Sequence, residues 1–212
     1  MNKLKKLDKK KLKEILKKIN TDAQTQDNYN SKLNRVINFL HYNTGFKLAA
    51  VKEGGSRGKQ TDIRKSDLDI IYCKSKDQDK ISARKDLLKK AKTSFKQVAK
   101  VHMGNKAVHI DFFKPKCNID VVYLSNKEFQ QESKKIKTIK KLQPLYKNAI
   151  KLAKYALNRA KINNITGYEV ELACLNSNEN SLSECVYHII NYFSGRINQK
   201  GSSVNKVLRY LT

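Results

Sequence analysis

Two aspartates one residue apart, Asp67 and Asp69, stand at the start of an apolar segment. In a β-strand, residues two apart project from the same face and lie about 6.5–7 Å apart. The two carboxylates would therefore share one side of the strand, while Leu68 and Ile70 enter the core. Two anions at this distance repel each other, and burying them without a partner is costly. A divalent cation relieves this conflict, and Mg²⁺ prefers such oxygen ligands.

A third carboxylate would complete a site for two metal ions about 3.5–4 Å apart, which together stabilise an attacking and a leaving oxygen. Two candidates lie in later apolar segments, Asp111 in VHIDFF and Asp120 in NIDVVYL. We favour Asp120 because it begins its strand as Asp67 does, so both could lie at one edge of a sheet. Asp111 lies in the middle of its strand, where it would face solvent or support the site.

A glycine-rich stretch, Gly54-Gly55-Ser56, precedes Asp67 by eleven residues. Glycine at a strand end permits positive φ and a close approach of the backbone to a ligand. The Ser56 hydroxyl and exposed backbone N–H groups could hold a phosphate group. Either motif alone is weak, but their combination at this spacing, with a third strand-borne aspartate, is specific.

The hydrophobic periodicity predicts the elements that carry these residues. Residues 3–19 read as an amphipathic helix whose apolar side is Leu4, Leu7, Leu12, Ile15, Leu16 and Ile19. Its lysines form either a solvated face or a basic ridge against a nucleic-acid backbone or anionic surface. Residues 20–30 read as a polar loop and residues 31–42 as a second helix.

Period-two segments then predict a mixed sheet. The expected strands are 46–51, 68–72, 95–103, 107–113 and 118–124, with a lysine-rich helix at 80–92. Turns are indicated at Gly104-Asn105 and Lys114-Pro115. The fold class is therefore α+β, with helices flanking a mixed β-sheet.

From residue 125 the pattern is helical to the end, which indicates a shortened all-helical domain. Ser125 or Asn126 can cap its first helix, and Pro144 can begin the next. The stretch KKIKTIKK is expected to be an exposed basic helix or a linker. Further helices are expected at 168–175, 182–197 and 203–211. The predicted domains are 1–30, a basic helix and loop; 31–125, a catalytic domain; and 126–212, a helical nucleotide-binding domain.

The charge balance points to a polyanionic partner. Lysine and arginine number 45 against 19 acidic residues, for a net charge of +26. Such an excess is costly through self-repulsion unless a polyanion is near. Nucleic acid is the usual partner, and an anionic membrane surface is the second candidate. A bias toward lysine and asparagine codons in an AT-rich genome would also produce this composition.

The four cysteines lack the spacing of a zinc site. Cys73 and Cys117 lie in or beside predicted strands and are expected to be small core residues. The sequence has no signal-peptide pattern and no run of about 18 apolar residues, so no membrane span is expected. We therefore expect an intracellular protein, cytoplasmic or nuclear, with reduced cysteines.

These motifs resemble the DNA polymerase β-type nucleotidyltransferase superfamily, whose signature is G-[GS] after a strand, D-h-D on the next strand and a later third acid. Gly55-Ser56, Asp67-Leu68-Asp69 and Asp120 match it. Within the superfamily, the stretch GGSRGKQT…SDLDIIY is most similar to the 2′-5′-oligoadenylate synthetases and their cyclic-oligonucleotide synthase relatives. Gly58-Lys59, Thr61 and Ser66 strengthen that link.

The second half of the chain carries a weaker part of the same resemblance, which spans roughly residues 30–195 in all. The stretch AIKLAKY resembles the family helix that brings a lysine to the triphosphate, and Lys154 matches that lysine. Alternatively, Lys154 belongs to a solvated stripe with Lys147 and Lys151. The stretch GYEVEL matches the segment whose tyrosine, here Tyr168, stacks on a base. The family has a polar residue where Gly167 stands, and its synthetases are usually longer chains.

The resemblance implies that a sugar hydroxyl attacks the α-phosphate of ATP or another nucleoside triphosphate. Asp67 and Asp69 would bind two Mg²⁺ or Mn²⁺ ions, and Asp120 would bind the ion at the hydroxyl and serve as its base. Gly55, Ser56, Thr61 and Lys154 would bind the nucleotide together with Tyr168.

Three functions follow as alternatives. The first is a synthetase, activated by double-stranded RNA, that joins nucleotides into a short 2′-5′-linked or cyclic product. The second is an enzyme that adds A or U to an RNA 3′ end. The third is an RNA-binding subunit of a larger assembly whose catalysis is weak or lost. Intact carboxylates argue against the third, because a module that binds RNA phosphates has no use for clustered anions.

Overall fold

The computed structural model describes residues 7–43, 48–63 and 67–212. The chain forms two compact units. The sheet unit comprises Asp22–Gln60 and Lys65–Lys140, and the helical unit comprises Met1–Thr21, Thr61–Arg64 and Lys141–Thr212. These units divide the chain elsewhere than the predicted domain boundaries at 30 and 125, because the helix after residue 125 packs on the sheet while the first helix packs among the C-terminal helices.

Five strands form the mixed sheet of the sheet unit, with the order β1-β2-β5-β4-β3. The elements are α2 (Ala23–Tyr42), β1 (Leu48–Glu53), α3 (Gly55–Gly58), β2 (Leu68–Lys74), α4 (Lys80–Phe95), β3 (Ala99–Met103), β4 (Val108–Phe112), β5 (Cys117–Tyr123) and α5 (Asn126–Lys140). Strands β2 and β5 are parallel, and the other neighbouring pairs are antiparallel.

One face of the sheet forms the main core of this unit with α2 and α4. Alternate residues of β4 illustrate it, since Val108, Ile110 and Phe112 are buried while His109 and Asp111 are half-exposed on the other face. On that other face, Phe129 and Ile136 of α5 pack with Ile71 and Cys73 of β2. Polar side chains can therefore line this face farther along the sheet.

The helical unit packs around one central helix. Its elements are α1 (Lys9–Ile19), α6 (Pro144–Arg159), α7 (Gly167–Leu175), α8 (Leu182–Tyr192), α9 (Ser194–Gln199), α10 (Val204–Leu208) and a 3₁₀ turn at Arg209–Leu211. Six apolar residues of α6 are buried, and the apolar stripe of α1 joins the same core. In the part of the chain that the structure describes, no helix is both long enough and apolar enough to cross a bilayer.

The predicted α+β class and mixed sheet are confirmed, but the predicted loop at 20–30 is wrong. Helix α2 begins at Ala23 because the carboxylate of Asp22 caps it, accepting a hydrogen bond from the Thr25 N–H at 2.8 Å. The first turns of α2 are polar and largely solvated, so they lack the apolar period that would have revealed the helix.

Other differences concern element ends. Phe95 closes helix α4 instead of opening a strand, and the segment 182–197 is two helices separated at Phe193. KKIKTIKK lies in α5, whose Ile136 and Ile139 are buried, so it is an amphipathic helix with only one side exposed. Asp8 caps α1, which therefore begins at Lys9. The predictions for Leu4, Phe46 and Ser66 lie outside the described residues.

Candidate functional site

Asp69 and Asp120 are direct register partners on the parallel strands β2 and β5. Their neighbours on the strands, including Ile70 and Ile119, are fully buried on the opposite face of the sheet. Strand alternation therefore turns both carboxylates to the same face, where both residues are half-buried. Asp111, on β4, is instead the register partner of Asn118 on β5. Its Oδ2 lies 3.4 Å from Nδ1 of His102. The structure thus puts Asp120 beside Asp69.

The carboxylate of Asp69 lies in a field of like charge. Burial raises its pKa most, and the charges of Asp120 and Asp67 raise it further, to about 6. Lys59 offsets only part of this effect. Asp67 itself lies one residue before β2 and is exposed. Bringing these carboxylates together is therefore unfavourable without an added cation.

The glycine-rich stretch lies directly against Asp69. The Gly54 N–H donates to the backbone oxygen of Asp69 at 2.8 Å. Gly55 has a φ of 55°, and a methyl group there would overlap the Asp69 carboxylate, 2.6 Å from its Cγ. Only glycine permits this approach, so the predicted loop and the predicted carboxylate form one site. Ser56 lies next to Gly55 in α3 and is partly buried.

Arg57 anchors this loop to helix α2, a role that sequence reasoning missed. Its guanidinium donates to Gln26 Oε1 at 3.0 Å and to Asn30 Oδ1 at 2.5 Å, and the residue is buried. These partners lie in the segment predicted to be a loop. Gln26 and Asn30 are four residues apart, so on a helix they share one face. Had residues 23–30 been predicted as helical, this shared face would have suggested a binding partner such as Arg57.

His109 is the second residue missed. It is the register partner of Asp120 on the other side of β5, and its Nδ1 lies 2.6 Å from Asp120 Oδ1. The alternation in VHIDFF already puts His109 and Asp111 on one strand face. The pairing of His109 with Asp120 depends on the register between β4 and β5, which could not be predicted from the sequence.

In the helical unit, the predicted nucleotide-binding residues Thr61 and Lys154 meet at a buried carboxylate. Lys154 Nζ lies 2.8 Å from Glu171 Oε1 and 3.1 Å from Thr61 Oγ1. The Thr61 hydroxyl donates to the same Glu171 oxygen at 2.7 Å. The Lys154 side chain is only 11% exposed, so it does not belong to a solvated stripe. Tyr168, in the first turn of α7, is 36% exposed.

The donor set at the strand edge suits Mg²⁺ or Mn²⁺. The aspartates supply carboxylate oxygens, which hard divalent cations prefer, and their mutual repulsion favours cation binding. Within residues 7–43, 48–63 and 67–212, no three His, Cys, Asp or Glu side chains are already arranged as a metal-binding group. Asp67 is exposed and close enough to Asp69 for its charge to raise the pKa of that carboxyl, so it would complete the donor set.

Comparison with solved structures identifies the fold. CdnC of E. coli MS115-1, in its complex with HORMA-deltaN, matches 89% of this chain and 71% of its own chain, with a TM-score of 0.71 and 16% identity. The Cid1 poly(U) polymerase with Mg 3′-dATP bound matches 87% and 72%, with a TM-score of 0.69 and 11% identity. The structure of the GLD-2/RNP-8 complex matches 87% of this chain and 74% of its own chain, with a TM-score of 0.68 and 12% identity.

No family model and no curated protein sequence matches the chain. At these low identities the structural matches establish the fold. They confirm the predicted α+β fold, a mixed sheet with flanking helices, which this chain shares with these nucleotidyltransferase structures.

Proposed function

We propose that this protein is a template-independent, metal-dependent nucleotidyltransferase that uses ATP or another nucleoside triphosphate to make short oligonucleotides. The observation that carries the proposal is the pairing of Asp69 with Asp120 on adjacent parallel strands, with Gly55 packed against Asp69. A site for divalent cations accounts for this concentration of negative charge in a chain of net charge +26.

In the proposed reaction, a sugar hydroxyl oxygen attacks the α-phosphorus of the triphosphate. The bond from that phosphorus to the β-bridging oxygen breaks, and pyrophosphate leaves with the bonding electrons. Asp67 and Asp69 would hold two divalent ions, while Asp120 would hold the ion nearest the hydroxyl and accept its proton. When bound, the ions lower the pKa of the attacking hydroxyl and neutralise the charge on the leaving phosphates.

The remaining nucleotide contacts are assigned to Gly55, Ser56, Lys154 and Tyr168, with Thr61 beside Lys154. Backbone N–H groups near Gly55 and the Ser56 hydroxyl would bind the β- and γ-phosphates. Lys154 would supply a point charge to the same phosphates, positioned by Thr61 and Glu171 as a buried network. Tyr168 would stack on the base, which its partial exposure permits.

Activation by RNA is supported by the charge distribution of helix α1. Its apolar side is buried, and its lysines lie on the exposed side: Lys9, Lys10, Lys11, Lys13, Lys17 and Lys18. A lysine surface suits recognition of a nucleic-acid backbone without reading of base edges. Double-stranded RNA is therefore the activator that we propose.

RNA 3′-end tailing is the second candidate, and the matches to Cid1 and GLD-2 favour it as specifically as the matches to CdnC favour a synthetase. A tailing enzyme would use the same carboxylates but would require an RNA 3′ hydroxyl as acceptor. Its partners would include an RNA primer that is extended, whereas the synthetase would use only nucleotides as substrates and RNA as an activator.

The deciding experiment is pyrophosphate release with chromatography of the products. The protein would receive Mg²⁺ and mixed nucleoside triphosphates with no RNA, with double-stranded RNA or with a single-stranded primer. We expect short oligonucleotides with double-stranded RNA, and no product from an Asp67→Ala, Asp69→Ala double variant.

The other outcomes are equally informative. Extension of the primer without free oligonucleotides would replace the synthetase by the tailing enzyme. Tight RNA binding with no turnover under any condition, with Mg²⁺ or Mn²⁺, would overturn both and favour an RNA-binding subunit of a larger assembly.

A further inference from the structure

A single row of polar residues crosses four strands of the sheet. His102 pairs with His109 across β3 and β4, His109 with Asp120 across β4 and β5, and Asp120 with Asp69 across β5 and β2. Asp120 therefore has a carboxylate on one side and an imidazole on the other.

The imidazole of His109 fixes one oxygen of Asp120. The distance between His109 Nδ1 and Asp120 Oδ1 is 2.6 Å, short for a hydrogen bond between nitrogen and oxygen. An ionised carboxylate can only accept hydrogen bonds, so Nδ1–H is the donor. The bond holds Oδ1 toward β4 and fixes the rotation of the carboxylate, so that Oδ2 is directed to a different partner.

The imidazole is itself held from two sides. The ring of His102 stacks on it, with centroids 4.8 Å apart and planes 24° apart. Gly104 lies at its other end, where a methyl group would overlap Nε2 and lie 2.7 Å from Cδ2. A ring packed this closely has few alternative rotamers, so the hydrogen bond to Asp120 is preorganised.

We propose that His109 is a positioning residue for nucleotidyl transfer, acting through Asp120. The inference rests on the proposed function, in which Asp120 serves the attacking hydroxyl. By holding Oδ1, His109 aims Oδ2 at the ion and hydroxyl beside Asp69. Groups that orient a ligating side chain in this way typically contribute about 10–100-fold to metal affinity or activity.

The first test compares two substitutions of His109 in the full chain. His109→Leu removes the donor and should lower kcat about 10–100-fold, while the KM for the nucleoside triphosphate changes less than about threefold. His109→Asn keeps an N–H on the atom attached to Cγ, where Nδ1 stands, and should restore most of kcat. The matched control is His188→Leu, whose imidazole lies beside Glu179 in the helical unit and should leave kcat unchanged.

The second test moves the ring without removing its donor. Gly104→Ala should displace the imidazole and lower kcat by about tenfold, because a small misplacement of a catalytic group is costly. Gly195→Ala is the control, since nothing lies within 4 Å of the methyl group that it adds.

Binding of Mn²⁺ alone, followed by electron paramagnetic resonance, provides a readout without turnover. We expect His109→Leu to weaken Mn²⁺ binding about tenfold and His109→Asn to bind nearly as wild type does. Thermal unfolding of both variants without metal should show that both remain folded, so that the difference in Mn²⁺ binding reports the hydrogen bond to Asp120.

The proposal is overturned if His109→Leu keeps wild-type kcat and Mn²⁺ affinity, or if the Asn and Leu variants lose activity equally. The proposed function fails separately, if wild-type protein transfers no nucleotide under any condition. A wild type that is active, is inactivated by Asp120→Asn and is indifferent to His109→Leu would refute only the positioning role.

Discussion

Asp69 in the sheet unit and Glu171 in the helical unit are both carboxylates withdrawn from solvent, but their surroundings differ. Glu171 has the ammonium of Lys154 at 2.8 Å and the hydroxyl of Thr61 at 2.7 Å. Asp69 faces the like charges of Asp120 and Asp67, and its pKa is raised to about 6. The helical unit thus compensates its buried carboxylate directly, whereas in the sheet unit Lys59 offsets only part of the repulsion at Asp69.

This difference indicates what each region is built to do. A compensated pair holds Lys154 in a defined place, and removal of either partner alone would leave the other charge buried without compensation. An uncompensated cluster costs stability in the free protein and is stabilised by a ligand of opposite charge. Substitutions should therefore have their largest effect on activity at the first site, whereas at the second they should also lower stability.

The largest effect is expected from Asp69→Asn. It should lower the rate of nucleotidyl transfer at least about a thousandfold, because several kcal/mol of transition-state stabilisation are lost and each ~1.4 kcal/mol is a factor of ten. Pyrophosphate release at saturating Mg²⁺ measures this. Asp111→Asn serves as the matched control in a neighbouring strand and should retain activity. If Asp111→Asn were the inactive variant, the assignment of the third carboxylate would be reversed.

The next effect is on stability in the helical unit. Glu171→Leu leaves the ammonium of Lys154, which is 11% exposed, without its buried partner and should lower the free energy of unfolding by about 3–5 kcal/mol. Lys154→Met should cost a similar amount. In the double variant the two losses should largely cancel, as denaturant unfolding of the four proteins would reveal. Additive losses would contradict a buried, mutually compensated pair.

Gly55→Ala should lower activity about a hundredfold by pushing the Asp69 carboxylate aside. Gly201→Ala is a close control, because Gly201 also has a positive φ, 64°, but has nothing within 4 Å of the added methyl group. Both substitutions impose backbone strain of roughly 1–2 kcal/mol. Only the first should affect kcat, and equal kinetics for the two would mean that the loop does not need to touch Asp69.

The smallest effect is a pH-dependent gain in stability for Asp69→Asn without metal. The folded pKa of Asp69, about 6, lies above its ordinary 3.8, so the folded state binds the extra proton. The stability from this proton is complete below pH ~4 and is lost as the pH rises through about 6. The variant and wild type should therefore have the same Tm at pH ~4, and above pH ~6 the variant should have a Tm a few degrees higher than that of wild type. For a protein of this size, ~1 kcal/mol shifts the Tm by ~2–4 °C.

Calorimetry in EDTA across this pH range would test the sign. Mg²⁺ should then raise the Tm of wild-type protein at pH 7.5 and have a smaller effect on Asp69→Asn. A variant that is less stable than wild type above pH 6 would mean that the carboxylates are already compensated in the free protein.

Much of this protein is determined locally along the sequence. Hydrophobic periodicity along the chain predicted the α+β fold, and the alternation around Asp67 and Asp69 with the glycines before them predicted the charged strand edge, because strand period and glycine conformation depend on neighbouring residues. The polar helix α2 escaped prediction, because Asp22 starts it by capping and its solvated turns carry no apolar period.

Tertiary structure decided the rest. Strand register selected Asp120 over Asp111 as the partner of Asp69 and brought His109 to Asp120 from eleven residues away. By charge alone the sequence does not distinguish Lys154 from the many other lysines, whereas the fold buries its side chain beside Glu171. Register and burial depend on how distant segments pack. Periodicity, spacing and motif resemblance therefore identified Asp120 and Lys154 as candidate site residues, but they could not show which side chains these residues contact.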